Sequence, residues 1–148
     1  MTDDPLYRRE LLRLAADALG AGTLPAPDAA ATAHNPACGD RVRVELALAG
    51  GRVSAFAHCT QACVLTQASA ALLAGLASGQ DRAGLAALAA SVRAFLNGAP
   101  APAGYGVFDG VAAHAGRHVC VLLPFEAALK ALEGTEPSSA GTQDQPGS

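Results

Sequence analysis

At 148 residues, 51% hydrophobic but only 4% aromatic, the chain fits one domain, with a core of closely packed alanine-rich helices. A net charge of −3 without a basic run leaves no electrostatic footprint for nucleic acid. Met1 to Thr23 carries charges throughout and has no apolar segment of the signal-peptide kind, so the expectation is a cytoplasmic protein whose four cysteines are reduced thiols or metal ligands.

Asp3-Asp4-Pro5 is a helix start, an acidic cap ahead of proline at the first helical position. Leu6, Leu11, Leu14, Ala15 and Ala18 recur at helical spacing, which predicts an amphipathic helix ending at Gly20 and Gly22. Thr23 to Pro36 has no clear period and reads as a wrapping loop with a short edge strand near Thr32-Ala33-His34. Arg41 to Leu48 alternates, with Val42, Val44, Leu46 and Leu48 toward a core and Arg41, Arg43 and Glu45 toward water. Gly50 and Gly51 supply a hairpin turn, and Arg52 to His58 is the return strand.

A helix is expected over Ala62 to Ser78, stopped by Gly79; Asp81 caps the next, through Leu85, Leu88, Val92, Phe95 and Leu96. After a loop rich in proline and glycine come a short helix over Val107 to His114 and a last helix over Val121 to Leu132, with Pro124 near its start, where proline is tolerated. Residues 134–148 lack periodicity and read as a disordered tail, leaving residues 1–133 as the domain. Helix, hairpin, then a run of helices is an α+β pattern: a small antiparallel sheet, the hairpin plus an edge strand, packed against several helices.

Val53 to Gln80 contains no charged residue, the length of a membrane span. Its first third alternates like a strand, and it carries His58, Thr60, Gln61, Thr66, Gln67 and Ser69, so it reads as a strand and a buried helix rather than a span.

Within it, Cys59 and Cys63 mark the strand-to-helix junction. A thiol there meets unpaired backbone N–H groups and the positive end of the helix dipole, which favour the thiolate that binds metal and carries sulfur. In an antiparallel hairpin the entry to the first strand lies beside the exit from the second, so Cys38, Asp40, Cys59 and Cys63 share one edge of the sheet; Cys120 comes from a separate element. Thiolates bind zinc or cluster iron. No C-x2-C knuckle of a closed structural zinc site is present, and the Asp40 carboxylate is a more exchangeable ligand than a fourth thiolate, which suits transfer. Three thiolates and a carboxylate would repel one another and hold protons without a cation between them. Cys59 is read as a spectator at the strand end, with replacement of Asp40 as the fourth ligand as its alternative role; His118 is a further ligand candidate, and His34, His58 and His114 are others, with His58 placed to hydrogen-bond a ligand. A purely structural zinc domain and a cysteine hydrolase are weaker readings, the latter because no Cys-His-Asn/Asp arrangement can be specified.

Asn35-Pro36-x-Cys38-Gly39-Asp40, Cys63 followed by Ala68-Ser69-Ala70, and Arg117-x-x-Cys120 together resemble the iron–sulfur cluster assembly scaffolds of the IscU, SufU and NifU N-terminal type, over about Leu6 to Leu132. The resemblance implies a SufE/NifU-like fold. It implies Cys38, Asp40, Cys63 and Cys120 as ligands of zinc or of a nascent [2Fe–2S] cluster. It also implies a cysteine desulfurase as persulfide donor, Cys120 or Cys38 as acceptor, apo iron–sulfur proteins as recipients, and a monomer or weak homodimer. The chain departs from the pattern: Val119, not His, Lys or Arg, precedes the last cysteine; the Leu-Pro-Pro-Val-Lys chaperone-docking motif is absent before Cys120; Cys59 is extra; and the interval from Cys63 to Cys120 is long, as in SufU-like members. Two functions follow from the resemblance: a scaffold that assembles and hands on [2Fe–2S], not strictly an enzyme, or a zinc-dependent sulfurtransferase.

Overall fold

The hairpin is the spine of the molecule. A computed structural model describes residues 5–36 and 39–133; Asp3, Asp4, Cys38 and the tail from residue 134 lie outside the described residues. In chain order the elements are α1 (Pro5–Asp17), β1 (Ala29–Asn35), β2 (Asp40–Ala49), β3 (Arg52–Gln61), α2 (Val64–Leu76), α3 (Arg82–Leu96), two 3₁₀ turns (Tyr105–Val111 and Ala115–Arg117) and α4 (His118–Glu133). The three strands form one antiparallel sheet in the order β1-β2-β3. The fold is therefore α+β, with helices packed on one sheet face.

Gly50 and Gly51 have φ of 61° and 80°, the positive pair that a tight hairpin turn of this twist demands. Val42, Val44 and Leu46 are wholly buried beneath α4, which crosses β1 and β2; α2 and α3 pack against α4, and α1 packs against α2. The edge strand is longer than the three residues expected, pairing from Ala29 with Leu46 to Asn35 with Asp40. Asp28 anchors its start, donating its N–H to the Leu46 carbonyl and accepting the Leu48 N–H on Oδ2, both at 2.7 Å.

Three expectations need correction. Glu45 does not face water; it is buried, because its Oε1 accepts the Leu24 N–H at 2.8 Å and its Oε2 meets Arg43 Nε at 3.2 Å. That backbone hydrogen bond holds its carboxyl below the usual range, the Arg43 guanidinium assisting. The segment after residue 104 is not an α-helix. A three-residue period places Tyr105, Phe108 and Val111, all buried, along one edge, which is the 3₁₀ repeat. Finally, α4 starts at His118, so Pro124 is internal to it and Cys120 lies in its first turn. Proline at 124 leaves the Cys120 carbonyl without its usual donor four residues on. At the adjacent Val121 carbonyl the buried Ser69 hydroxyl donates at 2.6 Å.

Between α1 and β1 the chain touches the sheet edge: Gly22 N–H bonds the His58 carbonyl and His58 N–H bonds the Gly20 carbonyl, each at 2.9 Å. Gly20 has φ 81°, and a Cβ there would stand 2.6 Å from Ala74 Cβ. Gly20→Ala is expected to destabilise the protein by about 2 kcal/mol or more, the sum of left-handed strain and overpacking. Urea unfolding checks it, and an unchanged midpoint would contradict the packing described. Among the described residues no helix is long and apolar enough to cross a membrane.

Candidate metal centre

Three element ends meet at one edge of the sheet. Asp40 opens β2, Cys63 is the N-cap of α2, and Cys120 lies in the first turn of α4. One carboxylate oxygen of Asp40 and the two sulfurs all lie within 4.8 Å of one another. A tetrahedral centre with metal–sulfur bonds of ~2.3 Å holds its sulfurs about 3.8 Å apart, a separation inside the span of this group. Asp40 is buried, and its Oδ2 finds no hydrogen-bond partner among the described residues. A buried carboxylate oxygen without a donor is strongly unfavourable, and a cation supplies what is missing. Two soft sulfurs, one hard oxygen and that orphaned atom fit a thiolate-binding cation such as zinc or cluster iron. Cys38, the fourth residue implied by the resemblance, lies outside the described residues.

The local architecture frees the ligands. Cys63 caps α2 with extended backbone, yet its side chain accepts no capping hydrogen bond from a backbone N–H of the helix, leaving the sulfur for the site. The Thr66 hydroxyl lies 3.6 Å from Cys63 Sγ. Burial pushes the Cys120 thiol up to about 11, and the Cys63 thiol and Asp40 carboxylate push the same way. Helix-dipole reasoning alone points toward thiolate; in the metal-free site, desolvation and clustered anions win, and the thiol keeps its proton. The Thr66 hydroxyl acts against that rise.

The other candidates stand apart. Cys59 pairs with Arg43 across the hairpin, so alternation puts it on the sheet face opposite Asp40, Val42 and Val44; its exposed thiol points to the Gly22 carbonyl at 3.5 Å. It does not join the group. His58 is buried with both ring nitrogens engaged, Nε2 to the Leu19 carbonyl and Nδ1 to Thr60 Oγ1, each at 2.9 Å, so it orders the α1 connection rather than a ligand. Burial lowers its pKa, partly opposed by the Leu19 carbonyl. His118 gives Nε2 to the Ala112 carbonyl at 3.0 Å, and His34 is exposed on β1 opposite Arg41. Neither these nor His114 and Arg117 belong to the ligand group. Thr66 was legible only as a polar residue three positions after Cys63; its place beside both sulfurs depends on how α2 meets α4.

The model of the family described as NifU-like N terminal domain matches residues 6–104, a stretch that contains Cys38, Asp40 and Cys63 and stops before Cys120. The structure is similar to the crystal structure of a nitrogen-fixing NifU-like protein (N-terminal) from Brucella abortus, with a TM-score of 0.80 and 33% identity, covering 86% of this chain and 92% of that one. It is also similar to a crystal structure described as that of a hypothetical protein, with a TM-score of 0.78 and 22% identity over 86% of this chain and 97% of that one. A protein described as an iron–sulfur cluster assembly scaffold for the SUF system, from Fervidobacterium islandicum AW-1, matches at a TM-score of 0.73 and 18% identity, over 83% of this chain and 93% of that one. The last two speak to the fold alone. No curated protein matches the chain.

Proposed function

The chain belongs to the NifU-like N-terminal domain family of iron–sulfur cluster assembly scaffolds, and from that premise we propose that it assembles a [2Fe–2S] cluster on Cys38, Asp40, Cys63 and Cys120 and passes it to apo iron–sulfur acceptor proteins. The observation that carries this reading is the convergence of Asp40, Cys63 and Cys120 ligand atoms within 4.8 Å, with Asp40 Oδ2 buried and without a hydrogen-bond partner among the described residues. Iron and sulfide are the cargo. A cysteine desulfurase brings the sulfur as persulfide, and an external reductant takes it to sulfide. Asp40 is the exchangeable ligand: its oxygen binds soft metal less firmly than thiolate does and opens first when an acceptor thiol attacks.

A second reading is zinc-dependent sulfur transfer, favoured by the whole of α3 and two 3₁₀ turns that separate Cys63 from Cys120, in keeping with the long SufU-like interval. Zinc would be held by the same four residues. The freed Cys120 or Cys38 thiolate would attack the outer sulfur of the desulfurase persulfide, forming a new S–S bond and releasing the desulfurase thiolate.

Anaerobic protein given Fe²⁺, cysteine, a reductant and a cysteine desulfurase distinguishes the two. Visible sulfur-to-iron charge-transfer bands, with slower release to an apo acceptor from Asp40→Ala, are expected for the scaffold. Stoichiometric zinc, no bands and faster desulfurase turnover would select sulfur transfer. Neither metal nor stimulation would overturn both.

A further inference from the structure

Building on the metal-centre reading, we propose that Thr66 is a positioning residue of that centre: its buried hydroxyl donates a hydrogen bond to the Cys63–Cys120 sulfur pair and sets how the two thiolates face bound metal or cluster iron. Thr66 lies on α2 three residues after its N-cap Cys63, the spacing at which a cap and a third-position side chain meet, and Oγ1 is 3.6 Å from Cys63 Sγ. The residue has 0% exposure, so water does not satisfy the hydroxyl. A helical threonine commonly turns its hydroxyl back to the carbonyl four residues earlier. Here that carbonyl, on Ala62, already accepts the Gln67 side-chain amide at 2.8 Å. The Cys120 sulfur lies within 4.8 Å of the Cys63 sulfur that this hydroxyl contacts, and the hydroxyl opposes the rise in the Cys120 pKa. It therefore stands beside sulfurs that begin two different helices.

A thiolate has no proton to offer, so once either sulfur is ionised the Thr66 O–H is the donor. Hydrogen bonds to ligand sulfurs orient them and tune the electronic character of the metal they hold. Ser69, three residues further on the same buried face, spends its hydroxyl on the Val121 carbonyl at 2.6 Å. That tie fixes α2 against the start of α4, so Thr66 works inside a set frame.

Thr66→Val keeps the shape and removes the donor, while Thr66→Ser keeps the donor. Co²⁺ titration reads both affinity and the energy of the sulfur-to-cobalt charge-transfer band. The Val variant is expected to bind Co²⁺ about 10- to 100-fold more weakly than wild type. Its band should move to longer wavelength, because a sulfur lone pair without a hydrogen bond is easier to ionise, and the Ser variant should restore both. Thermal unfolding of the metal-free proteins runs alongside; if the Val variant is unfolded, Thr66→Ala removes the donor in its place. A folded donor-less variant with wild-type affinity and band position overturns this inference alone. A Ser variant no better than Val also overturns it, since packing then explains the effect. Wild-type protein that takes up no Co²⁺ overturns the metal-centre reading and this inference with it.

Discussion

Replacing Cys63 by Ser should weaken metal uptake by more than the roughly 10- to 100-fold that loss of an outer hydrogen-bond partner brings, while the metal-free fold stays as stable or gains. The two effects have opposite signs for a local reason. Cys63 is the N-cap of α2, but its sulfur satisfies no helix N–H, so the fold does not lean on it. Serine is among the preferred N-cap residues, and its oxygen accepts from the first-turn N–H groups, for about 1 kcal/mol. As a ligand it is poor, because a neutral hydroxyl replaces a soft anionic donor. Metal content after Zn²⁺ or Fe²⁺ loading, with urea unfolding of the metal-free variant, measures both halves. Unchanged metal content would remove Cys63 from the centre; a collapsed metal-free variant would mean its side chain holds the junction together.

The second large effect is in pH. Burial, with the neighbouring Cys63 and Asp40, raises the Cys120 thiol from 9.0 to about 11, so metal must displace its proton at neutral pH. Apparent affinity should climb about tenfold per pH unit for each proton displaced, through the range from roughly 7 to 9. Metal-free stability runs the other way. The folded chain keeps the Cys120 proton up to about 11 whereas the unfolded chain releases it near 9.0, so the stabilisation is fully present below that lower value and is lost as pH rises toward the upper one. Metal-loaded protein holds Cys120 as thiolate already and should not show this alkaline loss. Calorimetric titration in two buffers of different protonation enthalpy counts the released protons. Affinity independent of pH over that range would contradict a protonated Cys120.

Much of the fold is readable from local pattern. The alternation through Val42, Val44 and Leu46, the Gly50-Gly51 turn and the Asp81 cap, which accepts the Gly84 N–H at 2.8 Å, are all near-neighbour effects. What pattern missed shares one cause, a partner far along the chain. Glu45 has a surface residue's place in the alternation, yet the Leu24 N–H, twenty-one residues away, turns it into a buried acceptor. Pro124 reads as a helix start, yet α4 begins ahead of it, and Ser69 from α2 supplies a hydrogen bond to the carbonyl beside the gap.

The kind of site is legible in the residues alone: soft thiols beside one carboxylate, placed where strands and helices begin. Donor chemistry and the two-residue period of a strand belong to the residues themselves. Which of those groups meet depends on how the strands and helices pack. Cys59 is the nearer to Cys63 in the chain, yet its strand position turns it to the opposite sheet face, while Cys120 joins because α2 and α4 pack side by side over the same core. Thr66 gained its place beside the sulfurs in the same way. A centre that must close on distances of a few ångströms depends on side-chain direction, and direction is set by which face of the sheet or helix is buried, not by separation along the chain.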